Sequence, residues 1–215
     1  LAAVTSVLAL FSFGGCSKTA QDATPPPTSI SSENGQATTE KAPPQNVPPE
    51  VVLDTTMGPI ILRLDAEKAP RTVANYLNYI KSHFYDGTLF HQVYKNQGII
   101  GGAYAENMSV KPPVGVPILN EAHNQVKNTK YTIAMLRDPD NSDSATSVFV
   151  INTNDNPTCD FRERSAEGYG YCVFGQVVQG KEVVDQIAAV EVHDVEDMPC
   201  TPVEKVVVKS AKQIK

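Results

Sequence analysis

The chain is short of the residues that most protein chemistry requires. Of 215 residues only four are cysteine and four histidine, and 18 basic side chains face 24 acidic ones, a formal net charge of −6. His83, His91, His123 and His193 are scattered, and none pairs with acidic or thiol residues at ligand spacing. The sequence therefore predicts no metal site. The lysines form no block and have no interleaved aromatics. With the acidic balance, this argues against nucleic acid or an anionic membrane surface as a charge-driven partner. No apolar run reaches the roughly 20 residues of a spanning helix, and there is no internal repeat.

What is present divides into three parts. Leu1 to Phe13 is a short apolar run, followed by Gly14-Gly15-Cys16. Residues 1–15 read as the end of a bacterial lipoprotein signal, because a signal peptidase needs small residues before the cleavage point to grip an extended backbone. On that reading the mature chain starts at Cys16, whose thiol carries lipid. Ser17 then favours the outer membrane, with the protein facing the periplasm. Residues 16–49 are rich in Pro, Thr, Ser, Gln and Asn. They cannot bury enough surface to offset chain entropy and read as a tether. Pro25-Pro26-Pro27, Pro43-Pro44 and Pro48-Pro49 favour extended stretches, and a coil of this length reaches on the order of 30 Å.

Residues 50–215 carry the folded domain. Val51 to Asp54 and Ile60 to Leu64 read as strands around the turn Thr56-Met57-Gly58-Pro59. Pro70 opens a helix in which Val73, Leu77, Ile80 and Phe84 line one face. Further strands are predicted at Leu89–Val93, Ile99–Gly102, Tyr131–Met135, Val148–Asn152, Val173–Val178 and Val203–Val208, with a second helix over Lys181–Val190 after the break at Gly180. Many short strands, two helices and turn signals between them predict a closed antiparallel barrel.

Four segments carry a family resemblance: Thr56-Met57-Gly58-Pro59-Ile60; Ala69-Pro70-Arg71-Thr72-Val73-Ala74-Asn75-Tyr76; Leu89-Phe90-His91-Gln92-Val93 with Ile100-Gly101-Gly102; and Tyr169 to Val178 with Gly180 and Val183 to Ile187. Asn128-Thr129 and Ile133-Ala134-Met135 add to it. In order and spacing they resemble the cyclophilin-type peptidyl-prolyl isomerases, most closely the small bacterial ones. The resemblance implies an eight-stranded barrel capped by two helices, with a peptide groove on its outer wall. The implied reaction is rotation about an X-Pro amide, against a barrier of about 18–20 kcal/mol. It needs no nucleophile and no cofactor, only a proline pocket and a donor that favours the twisted amide.

In the family that donor is an arginine, and here its position holds Gln92. Glutamine keeps two N–H donors but loses the charge, the fork and part of the reach. Preorganised electrostatics of this kind are worth roughly 10²–10³ in rate. Carried over residue by residue, the family's pocket phenylalanine and methionine fall on Gln97 and Gly98, and its glutamine on Ile100. Val148 and Val150 stand for a glutamine and for the phenylalanine that floors the pocket. Thr158 replaces a loop aromatic, and Leu136 and Arg137 depart from the pattern. Phe90, His91, Phe149 and Tyr171 survive. His91 reads as a packed, hydrogen-bonded strand residue rather than a base.

Two functions remain open. One is an envelope isomerase acting on X-Pro bonds of secreted proteins, with activity weak or lost. The other is a non-catalytic binding module or accessory subunit of a membrane complex. Cys172 reads as buried and free. Cys159 and Cys200 lie in loops, and an oxidising envelope permits a bridge between them that would close a loop of about 40 residues.

Overall fold

The computed structural model describes residues 47–195 and 198–215. Residues 1–46, including the stretch read as a signal, Cys16 and most of the stretch read as a tether, lie outside the described residues.

In chain order the elements are β1 (Glu50–Thr55), β2 (Gly58–Leu64), α1 (Pro70–Lys81), β3 (Thr88–Tyr94), β4 (Gly98–Ala105), β5 (Thr132–Met135), β6 (Phe149–Asn152), β7 (Cys172–Gln179), α2 (Lys181–Ala188), β8 (Val192–Val195), β9 (Met198–Pro202) and β10 (Val206–Gln213). Eight strands close into an antiparallel barrel in the order β1-β10-β3-β4-β6-β5-β7-β2, and β8 and β9 form a separate hairpin. The predicted fold class is the observed one. The hairpin was not predicted, because Val192 to Pro202 carries two prolines and no apolar alternation. The last barrel strand accordingly begins at Val206 rather than Val203, and α2 ends at Ala188 rather than Val190.

The interior is filled from every strand. Leu53, Ile60, Leu62, Val93, Ile99, Ile133, Phe149, Ile151 and Phe174 are all fully buried. Helix α1 packs against β7 and β10, and α2 against β2, β3 and β4. The buried face of α1 is Thr72, Val73, Tyr76, Tyr79 and Ile80, so two tyrosines sit deeper than the expected Leu77. Phe84 is buried but lies beyond the end of the helix. Tyr76 packs edge-on to Phe149 and tilted against Phe174 and Tyr85. Such ring pairs add about 0.5–1.5 kcal/mol each beyond area burial. Burial raises the Tyr76 hydroxyl well above the usual tyrosine range.

The start of α1 lacks a local cap, since Ala69 has no side-chain acceptor. Glu121 supplies it from a distant loop. Its carboxylate accepts from the Arg71 and Thr72 backbone N–H at 3.2 and 2.8 Å and from the Thr72 hydroxyl at 2.8 Å. A carboxylate at a helix N-terminus satisfies orphan donors and opposes the macrodipole. Thr72 also lies 3.5 Å from the Cys172 sulfur. Cys172 is buried and free, as expected, and burial pushes its thiol up to about 12.

Gly102 has φ +90, and a Cβ there would stand 2.5 Å from the Ser147 carbonyl oxygen and 3.0 Å from the Tyr85 ring. Gly87 has a similar φ of +72 but nothing within 4 Å. Gly102→Ala should therefore cost clearly more than the roughly 1–2 kcal/mol of left-handed strain alone, whereas Gly87→Ala should cost only that. Urea denaturation of both variants checks this, and equal losses would show that the crowding at Gly102 is relieved by small shifts.

Candidate functional site

A β-bulge builds the site. Phe90 pairs with Gly101 and Gln92 with Ile100, so β3 carries one extra residue against β4. Phe90 and Val93 both point into the core, which leaves His91 and Gln92 together on the outer side. From Gln92 a row of facing residues runs across five strands. Gln92 pairs with Ile100, Ile100 with Val150, Val150 with Ala134, and Ala134 with Val173. Ile100, Ala134, Leu136, Tyr171 and Val173 form a second buried apolar cluster, separate from the barrel core. Tyr94, Val126, Val148, Val150 and Cys159 pack half-buried against it. This outer face holds most of the positions expected to line the groove, and beyond Gln92 the paired row across it is aliphatic.

Both hydrogens of the Gln92 amide are already committed. Its Nε2 donates to the Tyr94 hydroxyl at 3.0 Å and to the Pro199 carbonyl at 3.1 Å. A carbonyl can only accept, so the nitrogen must face Pro199 and the amide orientation is fixed. Pro199 belongs to β9, which packs over β3. Burial raises the Tyr94 hydroxyl, helped by the neighbouring Cys200 and Asp194 and opposed by its bond to Gln92.

The other expected site residues fall in several places. Phe90 and Phe149 are corrected: neither lines the groove. Both lie inside the barrel, 1% and 0% exposed, edge-on at 6.0 Å. Strand alternation sends these two side chains inward and their neighbours outward. Gly98 leaves no room for a larger residue, because a Cβ there would meet Val150 Cγ2 at 2.5 Å. Gln97 ends the β3–β4 turn, and its carbonyl accepts from the Thr153 N–H and the Asn156 side chain at 3.0 and 2.8 Å. Thr158 is exposed on the 3-10 turn Pro157–Cys159 and does not reach the floor, whereas Cys159 beside it does.

Arg137 does not take over from the missing arginine. Its guanidinium donates to the carbonyls of Asp138, Pro139, Ala166 and Gly170 at 2.8, 2.6, 2.6 and 3.4 Å and stands 5.3 Å from the Tyr171 ring centre. It fastens two loops together and is itself buried. Asn128 does the same at the groove's other margin. Its side chain donates to the Cys159 and Tyr171 carbonyls and to Asp160, and its backbone N–H meets Asp160 at 2.7 Å.

The expected Cys159–Cys200 bridge is not formed, and both thiols are free. They are held by different segments. The Cys159 carbonyl is bound by Asn128 and the Tyr171 N–H, and its sulfur lies on the groove cluster. Cys200 has φ +57, and its N–H donates to Asp194 within the hairpin. Ala134, Val173, Tyr94 and Cys159 also pack in this outer cluster and were not among the residues expected there. Only strand register reveals the first two, since nothing in the local sequence marks an outward alanine. No group of three or more His, Cys, Asp or Glu side chains that could hold a metal occurs among the described residues.

His91 lies under the β8–β9 hairpin, beside a cavity of about 240 Å³ shared with Met108, His193, Val195, Thr201 and Val203. Its ring centre is 4.8 Å from that of Tyr104, and it is 4% exposed. Its Nδ1 has no hydrogen-bond partner, and the polar group that acts on the ring is the Leu89 backbone.

With this geometry in place, comparison with known proteins is direct. Residues 50–213 match the family model for cyclophilin type peptidyl-prolyl cis-trans isomerases. A peptidyl-prolyl cis-trans isomerase of Streptomyces antibioticus is 42% identical over 162 residues, covering 75% of this chain and 96% of that protein. An Escherichia coli peptidyl-prolyl cis-trans isomerase is 43% identical over 140 residues, covering 65% and 84%. Among solved structures, a Cryptosporidium parvum cyclophilin type isomerase determined in the presence of the dipeptide ala-pro superposes with a TM-score of 0.65 at 20% identity. It covers 77% of this chain and 99% of that one. A Hirschia baltica cyclophilin gives 0.60 at 16% identity, covering 77% and 73%.

Burial lowers the His91 imidazole to about 4, opposed only by a backbone hydrogen bond to Leu89. The unfolded chain, titrating near the ordinary 6.5, then binds a proton that the folded chain refuses. Stability should be unaffected by this group above 6.5 and should fall as pH drops from 6.5 to 4, by on the order of 3 kcal/mol in full. His91→Gln should remove that part of the slope. Denaturant titrations at pH 7 and 4.5 check it, and an unchanged slope in the variant would assign the acid sensitivity to other groups.

Proposed function

The chain belongs to the cyclophilin-type peptidyl-prolyl cis-trans isomerase family, and we propose that within it this protein holds X-Pro segments of envelope proteins in its outer groove while turning them over far more slowly than arginine-bearing members. The observation that carries this reading is the Gln92 amide. Both of its hydrogens are committed to Tyr94 and Pro199, so neither is left for the proline nitrogen of a substrate. The loss concerns the transition state most, because there the twisted amide has gained a pyramidal, proton-accepting nitrogen that a donor must meet. Ground-state binding depends instead on apolar contact, and the half-buried Tyr94, Val148 and Val150 on the outer cluster offer it.

The same proposal places the protein on a membrane. The run Phe13-Gly14-Gly15-Cys16 supports lipid attachment at Cys16, and the proline-rich stretch after it supports a spacer. Among the described residues no helix is long and apolar enough to cross a membrane.

The test is isomerisation of a short Ala-Pro peptide by the chain and by its Gln92→Arg variant. The unmodified chain should run at least 10²-fold below an arginine-bearing relative. The variant should recover at least tenfold, since arginine has five donors and can serve Pro199 and substrate together. Turnover by the unmodified chain within tenfold of the relative would overturn the proposal. Failure of both proteins to bind the peptide would move the function to another face, as an accessory subunit.

A further inference from the structure

The acceptor that holds Gln92 is itself held. His193 pairs with Thr201 and Val195 with Met198, so β8 sets the single residue Asp194 against Pro199 and Cys200 of β9. This is a bulge, with two residues facing one. The peptide unit between Pro199 and Cys200 makes two hydrogen bonds. Its N–H donates to Asp194 Oδ1 at 3.0 Å, and its C=O accepts from Gln92 Nε2 at 3.1 Å. In a planar trans peptide these two groups point in opposite directions, so the bond to Asp194 aims the carbonyl at Gln92. A charged acceptor strengthens the first bond and polarises the second. Burial raises the Cys200 thiol and the Tyr94 hydroxyl, and the nearby Asp194 carboxylate adds to both.

The same peptide is strained. Cys200 has φ +57, a left-handed conformation that suits glycine and is unfavourable for other residues. Rotating the Pro199–Cys200 peptide unit would bring that φ to a negative value, which is the relation between type II and type I turns. The rotation would also swing the Pro199 carbonyl away from Gln92. The bonds to Asp194 and Gln92 hold the strained form against that relaxation.

We propose that Asp194 is a positioning residue for the catalytic position: through the Pro199–Cys200 peptide it fixes the Gln92 amide, and a flip of that peptide releases one Gln92 hydrogen. The inference rests on the reading of Gln92 as the donor position of an X-Pro site. It adds a means of regulation, because a contact that draws Asp194 away raises turnover without touching the outer row.

The experiment compares the full chain with Asp194→Ala, Asp194→Asn and Cys200→Gly. Asp194 is exposed, and its hairpin is not part of the barrel, so the barrel folds without it. The first readout is the NMR shift and hydrogen exchange of the Gln92 side-chain amide protons. The second is kcat and KM for a short Ala-Pro peptide. Asp194→Ala should shift these protons, speed their exchange and raise kcat roughly three- to tenfold at unchanged KM. Asparagine keeps an oxygen acceptor without the charge, so Asp194→Asn should restore most of the parent behaviour. Cys200→Gly relieves the strain while keeping the clamp, so exchange should slow and kcat should not rise. Unchanged Gln92 amide protons in Asp194→Ala, or their release in Cys200→Gly, would overturn the inference. Released protons with no gain in turnover would uphold Asp194 as the residue that positions Gln92 and overturn the reading of Gln92 as the group that limits turnover.

Discussion

Closure of the sheet is the constraint on which the rest of this protein depends. Once β2 pairs back to β1, every barrel strand has one inward and one outward face, and no barrel edge is left to absorb an error. Side chains alternate with period two, so a slip of one residue would exchange core for surface along a whole strand. Phe149 shows the consequence. It is the ring on which Tyr76, Tyr85 and Phe90 converge edge-on, and its placement inside sends Val148 and Val150 outward to the groove. Of the several bulges in the barrel, the one at His91 is used. It turns two successive residues, His91 and Gln92, to the outer side, where the β8–β9 hairpin covers one and bonds the other.

The groove margins are fastened by polar groups. Arg137 binds four carbonyls of neighbouring loops, and Asn128 joins the segment before β5 to Asp160 and to Tyr171 at the start of β7. Asn152 and Asn156 extend the network to the β3–β4 turn through Gln97. Buried polar groups that are fully paired hold geometry sharply, because each unmade bond would cost about 1–3 kcal/mol. The loops that frame the row are thus rigid even though the row itself contains no aromatic floor.

Much of this was legible in the sequence. The strands, both helices and the closed barrel follow from period-two runs, Pro70 and the break at Gly180. The groove was legible only by position, and there the reading was mixed. Ile100, Val150, Leu136 and Tyr171 do lie together in the outer cluster, whereas Phe90 and Phe149 lie inside the barrel, because membership of a motif does not say which way a side chain points. Ala134 and Val173 were invisible without register. The hairpin was missed because its stability comes from packing against β3 and not from propensity. The Cys159–Cys200 bridge failed for a related reason. Spacing and compartment permit a disulfide, but Asp194 and Asn128 hold the two cysteines in separate local structures.

The pattern of what is kept and what is changed has a thermodynamic meaning. An interaction accelerates a reaction only if it is stronger in the transition state than in the ground state. On the proposed reading, an aliphatic row would contact a bound proline segment similarly in its cis, trans and twisted forms and so contribute uniform binding. The donor at position 92 is the group that would discriminate, and its hydrogens are held by Tyr94 and Pro199. Glutamine in place of the family arginine would by itself weaken catalysis while leaving the family's aromatic pocket in place. The further change of floor, with Val150 filling the space over Gly98, alters the pocket's shape as well. On the proposed reading, a surface altered in both respects, yet still built from register-matched aliphatic residues, would hold X-Pro segments more readily than turn them.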